Sequence, residues 1–319
     1  MSNSIKIREE WADVLKGIGI TAVVVGHTYD NFIYNVIFSF HMPLFFFLGG
    51  YFHKKVDPFT FLKKQSQRLL IPYFSFLIPL YLYFFVFENF QSISHQSIKE
   101  LILRPLLGGQ FLIGPLGVFW FISCYFCTLQ LYNYLQKFSR TINFVVFFSL
   151  YIFSYLNAFF FESIWSPFNV HVVAAAYPFV FLGDLTRKIK FNIKNTLVVI
   201  LALLAALSIY LFPENRYDMK YTYYGKPVFT TLTALVLIFF LTCVSKWLVK
   251  TVKSNFIAEL GKASLVIMYL HLPFKFLLRP YVDNDLVITL LILLCSFLVY
   301  TLMKQYSFSR IIFLGHIKK

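Results

Sequence analysis

Acidic residues are scarce in this sequence: 319 residues hold 14 Asp and Glu against 29 Lys and Arg. Charge of either sign makes up only 13% of the chain, where a soluble domain carries about a quarter. Too little charge is present to cover a globular surface, so a soluble protein is excluded. Cysteine is equally sparse. Cys124, Cys127, Cys243 and Cys295 all lie in apolar runs. Cys124 and Cys127 form a C-x-x-C, but no second pair or histidine cluster follows at zinc-like spacing. They read as small packing residues. No i, i+4 pair occurs among His27, His41, His171 and His271, so neither metal nor haem is expected. Repeats, low-complexity tracts and a linker are lacking, and residues 1–319 read as a single domain. A signal-peptide cleavage site is lacking too, so the first apolar segment is expected to be retained.

What the sequence has is apolar surface. Hydrophobic residues make up 59%, with 41 Phe and 21 Tyr, and the mean hydropathy is +0.69. This predicts an all-α integral membrane protein. Ten candidate spans cover residues 12–29, 32–52, 69–88, 115–135, 142–161, 170–186, 195–212, 227–248, 260–279 and 285–304. Between the third and fourth, Leu101–Gly114 reads as an interfacial or re-entrant piece, because Pro105, Gly108 and Gly109 interrupt it. The formal net charge of +15 points away from nucleic acid, because the cations lie between apolar segments rather than in one patch. With the N-terminus inside, the cytoplasmic segments hold twenty-one Lys and Arg. The opposite loops hold six: Lys99, Arg104, Arg216, Lys220, Lys226 and Arg279. That asymmetry predicts a multi-pass cell-membrane protein with both termini cytoplasmic.

The first span carries the most informative polar groups. Lys16 and His27 are eleven residues apart, close to three helical turns, and so share one face roughly 16 Å apart along the axis. Ionisable groups at membrane depth face a bundle interior or a wet cavity. His27 is then either a helix–helix hydrogen bond or a general base. Asp30, one turn on, either orients the imidazole or is a solvated turn residue. Asp13 and Lys16 are also one turn apart and can simply pair at the membrane edge. In Phe38-Ser-Phe-His41-Met-Pro43, His41 either bonds the backbone that Pro43 frees or contacts an acceptor. His271-Leu-Pro273 repeats the pattern. Lys63, Lys64 and Arg68 anchor a cytoplasmic helix end or meet phosphates. Trp120 reads as an interfacial anchor or a site residue. His171 reads as a cap of the sixth span.

Five pieces in order resemble the acyltransferase 3 family of integral-membrane O-acyltransferases, and within it the fucose 4-O-acetylase-like subgroup. They are Asp13-x-x-Lys16-Gly17 with Gly26-His27, Phe40 through Phe47, Arg68-Leu-Leu-Ile-Pro72-Tyr73, Trp120-Phe121, and Gly261 through His271. The resemblance spans nearly the whole chain. It implies a ten-helix membrane fold and transfer of an acetyl group from acetyl-CoA. The acceptor it implies is a hydroxyl of a cell-surface glycan (capsule, exopolysaccharide or O-antigen) or of its lipid-linked precursor. It makes His27 catalytic, with Asp30 offered as its partner by spacing alone, and it gives acetyl-CoA binding to Lys16 and Arg68, with Lys63 or Lys64 as the substitute for the second arginine. His41, Trp120, Tyr269 and His271 fall to substrate binding. His41, Trp120 and Tyr269 are also the candidates to stabilise the oxyanion. Lys16 stands where Arg is common, and Gln65 where many relatives carry a second Arg. Some relatives add an extracytoplasmic esterase-like domain; this chain is expected to lack one. The rival class is a transporter or flippase for glycan or lipid precursors, with the histidines as a proton relay.

Overall fold

The computed structural model describes residues 9–87, 98–161, 166–188, 195–251 and 255–316. The remaining segments lie outside the described residues; they hold part of the outer loop 87–114 and several cations assigned to the cytoplasmic side. The described residues are almost wholly helical: α1 (Glu10–Thr28), α2 (Asn31–Tyr51), α3 (Pro58–Gln65), α4 (Ile71–Tyr81), α5 (Ile98–Leu107), α6 (Trp120–Leu135) and α7 (Arg140–Phe160) come first. Then follow α8 (Val173–Lys188), α9 (Asn195–Leu211), α10 (Phe229–Thr251), α11 (Asn255–Lys262), α12 (Ser264–Leu278), α13 (Asp285–Gln305) and α14 (Ser307–Ile312). Among them only one isolated antiparallel bridge occurs, between Asp218 and Tyr223.

Helix starts follow from capping chemistry. Asp57 accepts from the Thr60 amide ahead of Pro58, and Ser139 from the Ile142 amide. Asn284 accepts from both Leu286 and Val287 amides. Each meets a backbone donor that has no partner within its helix.

Among the described residues, six helical segments are long and apolar enough to cross a bilayer: Phe32–Tyr51, Gly114–Leu135, Arg140–Phe160, Pro167–Lys188, Phe229–Thr251 and Asp285–Gln305. Helices α11 and α12, bent by 77° at their junction, make a seventh if counted as one broken span. Ten spans are expected from the sequence. Helix α1 falls short because Asp13, Lys16 and His27 interrupt its apolar run. Helix α4 is flanked by π-helical turns, Ser66–Leu70 and Leu82–Phe87. The apolar stretch Thr196–Leu211 of α9 is short for a span.

Apolar faces sort by environment. Leu286, Leu290, Leu294, Leu298 and Leu302 are exposed along one stripe of α13, and Phe148, Ile152 and Phe159 along α7. Such stripes fit lipid rather than water. Helices α1, α2, α8 and α12 carry the buried centre.

In lipid, helices gain little from hiding apolar surface from each other, so close van der Waals approach must hold them. Glycine supplies that approach. A side chain on Gly17 would collide with the Ile257 carbonyl, and one on Gly261 with the Asp13 carbonyl. The same holds for Gly50 against Val180 and Gly183 against Phe47. The first pair locks α1 to α11 and the second locks α2 to α8.

Three loops cap one end of the bundle. Asn169, fully buried and at φ +54°, accepts from the Gln110 amide at 2.8 Å and donates to the Lys220 carbonyl at 3.3 Å. Gly108 and Gly109 turn at φ +59° and +55° against Phe168 and Asn169. Leu101–Gly114 therefore continues from α5 into irregular turns and does not form a span.

Candidate active site

Three histidines from three helices line one cavity of about 270 Å³. His27 lies near the end of α1, His41 within α2 and His271 within α12. Local sequence explains the first meeting. A Cβ on Gly26 would lie 2.7 Å from Ile37 Cγ2, so only glycine lets α2 approach α1 this closely. Phe38 then packs edge-on against both imidazoles, with centroids 5.5 Å from His27 and 4.6 Å from His41. The His271 ring lies 5.1 Å from that of His27.

Backbone carbonyls fix two of these rings. His41 Nδ1 donates to the Ile37 carbonyl at 2.8 Å. His271 Nδ1 donates to the Met268 and Ile267 carbonyls at 2.8 and 3.1 Å. A carbonyl can only accept, so in the neutral ring the other nitrogen presents a lone pair. His271 Nε2 is buried and has no partner. The carbonyls used are not those that Pro43 and Pro273 free, which belong to Ser39 and Tyr269. The repeated His-x-Pro pattern thus sets a tautomer and does not patch a kink.

The far wall comes from the loop between α9 and α10. Lys220, 8% exposed, donates from Nζ to the Leu112 carbonyl at 3.1 Å. Burial lowers it from the ordinary lysine value to about 8, against the opposing charge of Asp218. Burial likewise raises the Asp218 carboxyl, with Arg216 opposing. Tyr34 donates to Asp218 Oδ2 at 3.3 Å, and Arg216 lies over the Tyr34 and Tyr223 rings. Trp120, Phe121 and Tyr217 complete an aromatic lining.

The structure gathers His27, His41, His271 and Trp120 into this cavity. It does not bring Asp30 to the imidazole of His27: Asp30 is exposed at the start of α2. The residue that does reach His27 is Lys275, whose Nζ donates to its backbone carbonyl at 2.5 Å. Tyr269 stands outside the cavity lining, packed between Phe76 and Phe119 at 4.8 and 4.9 Å, with its hydroxyl unpartnered. His171 joins Ser166 to Thr222 in the capping loops.

At the opposite end of α1, Lys16 pairs with Asp13 at 3.2 Å. Beside that pair a second cavity of about 420 Å³ is lined by Glu10, Asp13, Glu259 and Lys262, an acidic setting for a phosphate. Lys64 is exposed on α3. Arg68 is exposed on the π-helical turn, its backbone against Gly315. Burial, with the charges of Arg310, Arg68 and Lys304, lowers His316. Arg68 thus sits in a basic cluster and Lys16 in a neutralised one. Among the described residues no three His, Cys, Asp or Glu side chains are placed to share a metal ion.

Sequence reasoning missed Lys220 and Asp218 as cavity residues. The available signal was that Lys220 is one of the few cations outside the cation-rich segments, set beside a tyrosine in Asp218-Met-Lys220-Tyr221.

A family model described as an acyltransferase domain matches residues 9–304. No curated protein and no solved structure matches the chain.

Proposed function

The chain belongs to the acyltransferase 3 family, and from that premise we propose that it is a membrane O-acetyltransferase moving acetyl from cytoplasmic acetyl-CoA to a hydroxyl of a cell-surface glycan or its lipid-linked precursor. The observation that carries the reading is the cavity where His27 meets two further imidazoles beneath aromatic walls. Rings such as Trp120, Phe121 and Tyr217 suit the apolar face of a sugar, and a cavity of about 270 Å³ is on the scale of one sugar unit with an acetyl group. This reading keeps ten spans with both termini cytoplasmic, so that α1 connects the donor side to the acceptor side. Counting ten requires α1, α4 with its π-helical turns, and α9 to cross as well.

In this scheme the CoA phosphates meet Arg68 and Lys64 at the cytoplasmic face, with Lys16 further along α1. The thioester reaches the cavity along the polar face of α1. His27 removes the proton of the acceptor hydroxyl, whose oxygen attacks the thioester carbon. The carbon–sulfur bond then breaks, and the thiolate leaves with the proton that His27 held. General-base help of this kind is worth roughly a hundred- to ten-thousand-fold in rate.

His27→Ala is expected to abolish acetyl transfer while the protein still inserts into the membrane. NMR of surface polysaccharide from cells with the gene, without it, and with the variant checks this. An ester signal unchanged by loss of the gene, or retained by the variant, refutes the scheme.

A further inference from the structure

We propose that Lys220 is a catalytic residue of this transfer, its ammonium donating a hydrogen bond to the oxyanion formed on the acyl carbonyl oxygen. The inference rests on the acyltransferase reading of the same cavity. Lys220 comes from a loop almost two hundred residues after His27 in sequence, yet both line that cavity. Its side chain is held in place. Nζ gives one hydrogen to the Leu112 carbonyl at 3.1 Å, and a Cβ on Gly117 would lie only 3.2 Å from it. Glycine at 117 is thus what makes room for the ammonium. Three hydrogens sit on an ammonium, so two remain beside the cavity.

The competing donors are weaker. His41 and His271 spend their one N–H on backbone carbonyls and present lone pairs. Tyr269 stands outside the lining. Trp120 offers a neutral N–H, and a charged donor forms a hydrogen bond roughly twice as strong. A buried, fixed cation costs no reorganisation when negative charge develops, and poor solvation makes each such bond count for more.

The step balances. The acceptor oxygen bonds to the thioester carbon and its proton passes to His27. The carbonyl π pair moves onto oxygen, where Lys220 donates to it. When the carbonyl re-forms, the carbon–sulfur bond breaks and the thiolate takes the proton from His27. Lys220 keeps its own protons throughout.

Lys220 must therefore be charged. Lowered to about 8, it is protonated near neutrality and loses its proton as pH rises through that value. The titratable groups that share the cavity with it are Tyr217, Asp218 and Tyr221 from its own loop, Tyr34 and His41 from α2, His27 from α1 and His271 from α12, and Arg216 acts on it through Asp218 and Tyr34.

The test measures CoA release by purified protein from acetyl-CoA and extracted surface glycan, across pH, for the native chain, His27→Ala, Lys220→Met and Lys220→Arg. Lys220→Met is expected to lower kcat about 100- to 1000-fold with KM for acetyl-CoA unchanged. The native enzyme is expected to lose activity above about pH 8, and Lys220→Arg to fall below native but stay above Lys220→Met while moving that limb upward, since Arg stays charged but its larger fork fits less well beside Gly117. Thermal unfolding of Lys220→Met separates lost chemistry from a lost fold. Activity of Lys220→Met within about threefold of native, or an alkaline limb that Lys220→Arg leaves in place, overturns the proposal. A native protein as silent as His27→Ala sinks the acyltransferase reading itself.

Discussion

At the scale of single residues, His41 and His271 are defined by what their Nδ1 atoms touch. Both are oriented by carbonyls one turn back along their own helices, so their rings are fixed before any ligand arrives. That fixation leaves His271 Nε2 buried without a partner, a costly arrangement unless a ligand uses it. His271→Phe keeps the ring volume and removes the nitrogens; activity should fall at least tenfold in the glycan acetylation assay. Tyr269→Phe makes the opposite control. Its hydroxyl is buried, unpartnered and away from the cavity, so its removal should leave activity within about threefold and stability equal or better. His27 was legible in the sequence because an imidazole in an apolar span needs a reason. Tyr269 was singled out by its place in a motif. Motif membership does not fix the direction of a side chain, and the α12 helix turns this one into an aromatic stack. Asp30 lies beyond the end of α1 at Thr28, and three-residue spacing puts two groups on one face only where the helix continues.

At the scale of elements, the glycines of the motifs explain why helices meet where they do. Gly17 and Gly261 let α1 and α11 touch backbone to backbone. Gly26 does the same for side chains of α2 beside the cavity. Gly261→Leu must push α11 away from Asp13, and overpacking of this kind costs about 1–3 kcal/mol. The expected result is a lower melting temperature in detergent and loss of acetylation, read by thermal shift and by glycan NMR. A melting temperature equal to the native one would show that the two helices are free to separate. The Asp13–Lys16 pair belongs to this same junction. Its one-turn spacing foretold it, and the packing of α11 explains why Asp13 is buried there.

At the scale of the whole molecule, the lipid-facing stripes and the interior polar cavity divide the chain as the bilayer requires. Reporter fusions to either terminus should give cytoplasmic signals, read by paired fluorescence and periplasmic-phosphatase activity; a phosphatase-active C-terminus would reverse the assigned orientation. The sequence by itself determined the membrane setting, the helical class and the family, and it singled out His27 as a polar group at membrane depth. These depend on apolar content, local periodicity and the cost of polar groups in lipid, all properties of short segments. Only the tertiary structure decided what surrounds His27. Lys220 and His271 reach it from remote segments, through glycine-mediated helix contacts and loops tied together by Asn169. Periodicity fixes which face a helix presents, but what meets that face depends on packing between distant parts of the chain.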